Sequence, residues 1–211
     1  MAHRPAPYHH GALRSALIEA TEALLADKGA DGFSLREVAR RAGVSAAAPA
    51  HHFGDASGLL TAVAALGFEG LTKALEAGDA RGKDARAALR EQGIAYVRYA
   101  MDHPGRFRLM FRSGQLQQDA ALEHQGAAAF EVLARGVRRA FGVADAASMT
   151  PEHWNAVTAL WSLVHGYAHL AIAGKLDPLC REQGLERFVA GSLRPILTAT
   201  IAGLTPAAPV R

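Results

Sequence analysis

The sequence has few of the residues that indicate a disulfide-stabilised or strand-rich protein. Its 211 residues include one cysteine, Cys180, so no disulfide can form within the chain, as is usual in the reducing cytosol. Aromatic residues make up 7% of the chain, and no segment shows the alternation or hairpin signals of β-strands. These absences exclude a disulfide scaffold and argue against a β-sheet protein.

From the sequence we expect neither a signal peptide nor a membrane span. Residues 1–11 include Pro5 and Pro7 and no apolar run. Residues 156–174 contain no Asp, Glu, Lys or Arg and are long enough to cross a bilayer. Their apolar character comes largely from Ala and Gly, however, and they include His165 and His169. We therefore interpret this segment as a helix buried between protein surfaces and expect a cytoplasmic protein without membrane contact.

Charge of one sign is not concentrated in either half of the chain. The formal net charge is +3, and residues 1–80 contain 7 Lys and Arg against 9 Asp and Glu. Bulk charge therefore gives no sign of nucleic-acid binding in the N-terminal part, and a DNA-binding function has to be argued from local pattern.

What the sequence does contain is helical periodicity. Half of the residues are hydrophobic and alanine is abundant, which favours an all-α fold. Asp55 is expected to cap a helix, and the other helices are expected near residues 11–28, 34–42, 46–52, 85–103, 104–113, 119–141, 151–175 and 182–203. We expect a flexible arm (1–10), a helix-turn-helix domain (11–56) and a C-terminal regulatory and dimerisation domain (57–205).

Two short helices close to the N-terminus form the most informative pattern. Ser34 and Glu37 have the spacing of a capping box, and Gly43 stops the helix that they begin, at a position suited to a positive φ. Ser45 is then an N-cap candidate for the next helix, near 46–52. Two helices joined by so tight a turn predict a helix-turn-helix whose second helix enters a DNA major groove.

The candidate DNA contacts lie on and beside this second helix. Its small side chains permit close approach and contact with thymine methyl groups, while its histidines can donate to bases or phosphates. The predicted double-stranded-DNA contacts are Arg14, Ser34, Arg36, Ser45, Ala46, Ala47, Ala48, His51 and His52.

The stretch from Arg14 to Leu60 resembles the DNA-binding domain of the TetR/AcrR family of regulators. The resemblance depends above all on Gly29, Gly32-Phe33, Ala42-Gly43-Val44-Ser45 and His52-Phe53. It implies a homodimeric bacterial regulator, with relief of repression by a ligand as the expected mode. Further along, Trp161, His165 and Gly166 resemble the Trp-His-Gly signature of one C-terminal domain class of that family, and residues 102–111 resemble a common segment there.

Two positions depart from the family pattern. The family usually has a tyrosine that touches the DNA backbone at the position of Ala50, and a lysine at that of Ala56. Loss of both removes phosphate contacts, so we expect weaker operator binding unless Arg14, Arg36, Arg40 or the N-terminal arm (His3, Arg4, His9 and His10) compensates.

Aromatic and soft side chains in four helical segments suggest an effector site. An apolar cavity with few polar groups is the usual site for a small molecule, although ordinary core packing is the alternative. The predicted ligand-binding residues are Tyr96, Tyr99, Phe107, Met110, Phe111, Phe130, Trp161 and His165.

The last helix has the most regular apolar period in the chain. With the uncharged helix at 156–174 it offers more apolar surface than one subunit is expected to cover, which predicts a four-helix interface in a homodimer. The alternative is that both are core helices of a monomer. The predicted interface residues are Leu185, Phe188, Val189, Leu193, Ile196, Leu197 and Ile201.

Enzymatic signatures are missing from the sequence. His165 and His169 have a spacing that can hold zinc, but the residue after His165 is Gly166 instead of the glutamate that a metalloprotease needs. No catalytic residue, metal or cofactor is therefore expected. The alternatives that remain are a helical metal-binding or enzymatic dimer, and a dimer whose DNA surface has degenerated.

Overall fold

The computed structural model describes residues 10–180 and 183–204 as an all-α protein. The helices are α1 (His10–Lys28), α2 (Leu35–Ala42), α3 (Ala48–Phe53), α4 (Ala56–Asp79), α5 (Ala85–Asp102), α6 (Pro104–Met110), α7 (Ala120–Phe141), α8 (Pro151–Ile172), α9 (Asp177–Cys180) and α10 (Leu185–Gly203), with a 3₁₀ turn at Ser113–Gln115. No strand occurs within those two ranges. The all-α fold expected from the sequence is confirmed.

The described residues form two compact units. The N-terminal unit comprises residues 10–67 and 105–122, and the C-terminal unit comprises residues 68–104 and 123–204. Residues 57–67 and 105–122 were expected in the C-terminal domain, whereas their contacts group them with the helix-turn-helix. The expected arm at 1–10 lies outside the described residues except for His10, which begins α1.

The N-terminal unit has one apolar core. Leu17 and Leu24 of α1, Val38 of α2 and Leu59 of α4 are fully buried in it, together with Leu109 of α6. The apolar faces of these helices therefore meet in the same core. The core therefore fixes α2, and with it the start of the helix-turn-helix, against α1.

A close backbone approach explains why α6 belongs to the N-terminal unit. A Cβ added at Gly105 would lie 2.8 Å from the backbone carbon of Leu25 and the backbone nitrogen of Ala26. Only glycine permits this approach of α6 to α1. After α6, the Ser57 hydroxyl of α4 donates to the carbonyl of Gln115 at 2.7 Å.

In the C-terminal unit, α5 packs against α8 and α10. A Cβ at Gly93 of α5 would lie 2.8 Å from a methyl carbon of Leu197, so α5 and α10 are in close contact there. The buried side chains of α10 are Val189, Leu193, Leu197 and Ile201. All four were predicted at the dimer interface, but they are covered within one chain and belong to its own core, so their part in an interface stays a prediction.

Most expected helices occur close to their predicted bounds. α3 begins at Ala48 instead of near residue 46, and α9 was not expected. The expected helix at 104–113 ends at Met110. Asp55 caps α4 as expected, because its carboxylate accepts the backbone N–H of Gly58 at 2.8 Å.

Within residues 10–180 and 183–204, one helix, α4, is long and apolar enough to cross a membrane, and 44% of its most apolar window is buried in the protein. Leu59, Leu60, Val63 and Ala64 of this helix belong to the N-terminal core. The apolar composition of α4 is accounted for by this packing, since core helices of soluble proteins can be equally long and apolar.

Candidate functional site

The turn between α2 and α3 has the geometry that the sequence predicts. Gly43 has φ 68° and ψ 30°, a left-handed conformation that costs side-chain-bearing residues free energy. The backbone N–H of Val44 donates to the carbonyl of Ala39 at 3.0 Å and closes the end of α2. One glycine therefore reverses the chain and sets the direction in which α3 leaves α2.

Ser45 is not the N-cap of α3, contrary to the prediction. The N-cap is Ala47, and the carbonyl of Ser45 accepts the backbone N–H of Ala48 at 3.0 Å in a preceding turn. Pro49 explains the later start. It lies in the first turn of α3, where its missing N–H has no helical partner to lose. Residues 45–47 thus lead into the helix as an exposed turn.

The surface of this turn and of α3 is small and open to solvent. Ser45, Ala46, Ala47 and His51 are exposed, as is Ala50, whereas Pro49 is buried. The two other predicted contacts, Ala48 and His52, are half-buried. Burial of Pro49 directs the opposite side of the short helix outward, which leaves methyl groups and one imidazole as the accessible surface.

The capping box predicted at Ser34 and Glu37 does not form. Ser34 is the N-cap of α2, but its side chain makes no capping hydrogen bond. Glu37 is instead held by Arg40, whose Nε lies 2.8 Å from one of its oxygens, and by Arg41, whose Nε lies 3.1 Å from the other. These hydrogen bonds lower the pKa of Glu37 to about 2, so its carboxylate is ionised at neutral pH.

This arrangement divides the arginines of α2 into two kinds. Arg40 and Arg41 are both paired with Glu37, and Arg41 also with Asp27 at 2.6 Å. Arg36 is exposed and has no ion-pair partner among residues 10–180 and 183–204. Arg36 is therefore the guanidinium of α2 that can bind a phosphate without breaking an existing ion pair.

An open groove of about 520 Å³ runs beside α2. It is lined by Ser34, Arg36, Glu37, Ala39, Arg40, Val44 and Ala46. Three predicted DNA contacts, Ser34, Arg36 and Ala46, are thus brought together on one surface. The uncapped Ser34 hydroxyl and the first N–H groups of α2 add hydrogen-bond donors that suit phosphate oxygens.

Arg14 lies at the C-terminal end of α3. Its guanidinium carbon is 5.5 Å from the centre of the Phe53 ring, where α3 ends. This cation–π contact holds an exposed arginine beside α3. The contact explains how a residue of α1 can join the predicted DNA-binding set.

Four of the predicted effector residues, Tyr96, Phe130, Trp161 and His165, form an aromatic cluster on α5, α7 and α8. Tyr96 Oη lies 2.8 Å from His165 Nδ1. The His165 and Trp161 rings are 6.3 Å apart between centroids, and Trp161 is 5.7 Å from Phe130. Phe130 and Trp161 are each 38% exposed, so this aromatic surface is only partly covered.

Trp154 belongs to the same cluster and was missed from the sequence. Its ring lies parallel to that of Phe130 at a centroid distance of 6.4 Å, and the residue is 41% exposed. Trp154, Trp161 and His165 lie on one face of α8, because their spacing of seven and then four residues matches whole helical turns. That spacing could have identified Trp154 from the sequence as a member of the cluster.

The polar groups of the cluster are uncharged at neutral pH. Burial, and secondarily the charge of His169, lowers the pKa of His165 below its ordinary value. Burial raises the pKa of Tyr96 well above that of a free phenol. A neutral imidazole and a neutral phenol offer hydrogen bonds without charge, which suits an uncharged ligand.

Four predicted ligand residues lie elsewhere. Tyr99 is buried against Gly70, where an added Cβ would lie 2.9 Å from its hydroxyl. Phe107, Met110 and Phe111 belong to the N-terminal unit. Phe107 is fully buried beside Phe111, with 5.2 Å between ring centroids. Their participation in an effector site stays a prediction.

His165 and His169 form a close pair, with ring centroids 4.5 Å apart. Among residues 10–180 and 183–204, no group of three or more His, Cys, Asp or Glu side chains has the geometry to hold a metal ion. The pair therefore has no third protein ligand from those residues.

Family comparisons agree with this geometry. Residues 17–63 match the model for bacterial regulatory proteins of the tetR family, and residues 89–191 match a tetracyclin repressor-like C-terminal domain. No curated protein matches the chain.

Solved structures show the same fold. A protein of unknown function from Rhodococcus sp. RHA1 is 32% identical, with a TM-score of 0.75, and the match covers 95% of this chain and 100% of that one. A TetR family transcriptional regulator, PfmR from Thermus thermophilus, is 21% identical, with a TM-score of 0.61 over 91% and 99% of the two chains. A tetR-family regulatory protein from Rhodococcus RHA1 is 18% identical, with a TM-score of 0.69 over 93% and 98%.

Proposed function

The chain belongs to the TetR family of bacterial regulators, and on that premise we propose that it represses transcription as a cytoplasmic homodimer released from a palindromic operator by a small, uncharged aromatic effector. DNA-binding transcriptional regulation is the function that the family match supports directly. Repression, dimerisation, the operator form and the effector chemistry are the parts proposed.

The exposed surface of residues 45–51 is the observation that carries the DNA-binding proposal. Three consecutive small residues, Ser45, Ala46 and Ala47, precede α3 and are open to solvent. Alanine methyl groups allow the backbone to approach base edges and can contact thymine methyl groups, while His51 can donate to a base or phosphate. Arg36 and Ser34 beside them supply donors for the DNA backbone.

The exposed faces of α8 and α10 support the homodimer. On α8, Asn155, Ser162, Gly166 and Leu170 are exposed, uncharged and spaced along one face. α10 packs beside α8 and exposes Ile196, which is 41% accessible. Leu185 and Phe188 of α10 are half-buried. The interface is therefore proposed around Ile196, Leu185 and Phe188 together with α8, instead of around the four core residues of α10.

The aromatic cluster supports the effector proposal. Aromatic rings that are partly exposed, with one neutral hydrogen-bonding pair among them, have the composition of a small-molecule site. The only two tryptophans of the chain, Trp154 and Trp161, both lie in it. Tryptophan emission therefore reports on this cluster without interference from other sites.

Two linked measurements test the proposal. Selection of bound fragments from genomic DNA is expected to return a site with two inverted half-sites. Neutral aromatic compounds are then screened by quenching of tryptophan emission, and compounds that quench are expected to release the operator duplex. If every compound that quenches tryptophan emission leaves the protein bound to the operator, the proposed mode of regulation is contradicted. If compounds release the operator without changing the emission, the effector binds outside the aromatic cluster.

A DNA surface that has lost affinity is the second candidate, and Ala50 and Ala56 motivate it. Ala50 is exposed on α3 and Ala56 begins α4, the positions where the family usually has a tyrosine and a lysine. Ala50→Tyr and Ala56→Lys are expected to raise operator affinity, because each restores a phosphate contact. Failure of the natural chain to shift any selected duplex at low salt, with binding restored in the double variant, favours this candidate.

A further inference from the structure

A basic cleft in the C-terminal unit lies apart from the aromatic cluster. Its volume is about 410 Å³, and it is lined by Arg81, Lys83, Asp84, Ala87, Arg90, Glu91 and Arg194. Four of these side chains are cationic and two are anionic, which gives the cleft a net positive charge. All seven residues belong to the C-terminal unit.

The loop before α5 is folded tightly enough to place its cations at the cleft. A Cβ added at Gly82 would lie 2.2 Å from the Cα of Ala88, so the loop packs directly on α5 and only glycine fits. The flanking residues Arg81 and Lys83 are exposed. The loop therefore presents two cations beside the first turns of α5.

Both carboxylates of the cleft are already engaged. Asp84 caps α5, since one of its oxygens accepts the backbone N–H of Ala87 at 2.8 Å. Glu91 accepts hydrogen bonds on both oxygens from the guanidinium of Arg194. Burial alone raises the pKa of Glu91, but the hydrogen bond from Arg194 and the charges of Arg90 and Arg81 hold it below its ordinary value.

One buried donor in the cleft has no acceptor. The Nε of Arg90 is buried and makes no hydrogen bond, and its nearest ionic neighbour is a Glu91 oxygen at 3.6 Å, beyond hydrogen-bond distance. The Arg90 side chain as a whole is 24% exposed, so part of it remains accessible from the cleft that it lines. Arg90 therefore adds a third cation to Arg81 and Lys83 in the cleft.

We propose that this cleft binds a small organic phosphate, with Arg81, Lys83 and Arg90 contacting the phosphate group. Arginine guanidinium groups match phosphate oxygens in geometry, and lysine adds a point charge. The volume exceeds that of a bare phosphate and falls within the range of small-molecule sites, which leaves room for an organic part. The cleft has no lining residue in common with the predicted DNA contacts or with the aromatic cluster.

Isothermal titration of the full-length protein with inorganic pyrophosphate, in phosphate-free buffer at about 0.15 M salt, tests the proposal. We expect saturable binding with one site per chain. Lys83→Gln and Arg90→Gln are expected to weaken it by about tenfold or more, the loss of a charge-assisted contact. Arg98→Gln is the matched control, because Arg98 is an exposed arginine of the same helix outside the cleft.

Lys83 is exposed, so its variant tests the site even if Arg90→Gln fails to fold, which the thermal midpoint reveals. Absence of saturable binding overturns the proposal. So does an equal loss of affinity in Arg98→Gln, which indicates diffuse attraction by the whole surface. A parallel titration with succinate separates the anion classes, and tighter binding of the dicarboxylate than of pyrophosphate overturns the assignment to phosphate.

Discussion

Replacement of Arg36 by glutamine is expected to weaken operator binding in a way that depends on salt. Arg36 is exposed in the groove that also contains Ala46, and it has no ion-pair partner among the described residues. In a dimer the change removes two phosphate contacts. Each contact contributes about 0.9 to the slope of log affinity against log salt concentration, so the slope should fall by about 1.8.

This slope sets the size of the effect at any salt concentration. A slope difference of about 1.8 means that the affinity ratio between natural chain and variant changes about twelvefold between 50 and 200 mM salt. The assay is fluorescence anisotropy of a labelled operator duplex, recovered by genomic selection and titrated at several salt concentrations. Circular dichroism of the variant checks that the helices are retained.

Arg40→Gln is the matched control for this prediction. Arg40 lies on the same helix but is held by Glu37, with Nη2 2.7 Å from its carboxylate. Its contribution to DNA affinity is reduced because a phosphate contact has to replace this ion pair. We expect its slope change to be less than half that of Arg36→Gln. An unchanged slope for Arg36→Gln, or equal changes for the two variants, contradicts the claim that Arg36 is the phosphate-binding arginine of α2.

Three further predictions follow from burial, backbone conformation and protonation. Leu193→Ala should lower the free energy of unfolding measured in urea by about 2–5 kcal/mol, since Leu193 is fully buried. Ile196→Ala, at a residue 41% exposed, should weaken dimerisation measured by sedimentation with little loss of chain stability. Equal effects of the two variants contradict the assignment of Leu193 to the core and Ile196 to the interface. Gly43→Ala should cost about 1–2 kcal/mol through its φ of 68°, while Gly191→Ala, in the open interior of α10, should stabilise by up to about 1 kcal/mol. The pKa of His165 is lowered in the folded chain, so the unfolded chain binds a proton at this residue more readily, and stability should fall as pH drops below about 6.5. His165→Gln should flatten this part of the plot of urea midpoint against pH. An identical plot for the variant excludes His165 as the cause.

Local signals in the sequence were strong where one residue type decides the backbone. Gly43 shows this, because glycine is the residue that a left-handed helix end requires, and its position predicted the turn of the helix-turn-helix. The capping box at Ser34 failed for a different reason. Its spacing was correct, but Glu37 has two arginines within reach on its own helix, and their charge outweighs a reach back to a backbone N–H.

The apolar periodicity of a helix does not show which surface covers its buried face. The regular apolar period of α10 predicted a buried face correctly but not what covers it, because a helix packed on α5 and a helix packed on a second subunit have the same pattern. The basic cleft could not be predicted from the sequence either. Arg194 is more than a hundred residues from Arg90 along the chain, and only the packing of α10 on α5 brings them together.

The central claim is that two copies of residues 45–51 enter major grooves on one operator. A major-groove methylation-protection footprint on the selected duplex tests it most directly. We expect two protected patches related by inverted symmetry, with centres one helical turn apart, about 10–10.5 base pairs, or a multiple of that spacing. A single protected patch, or no protection at low salt by a protein whose helices are intact, contradicts it.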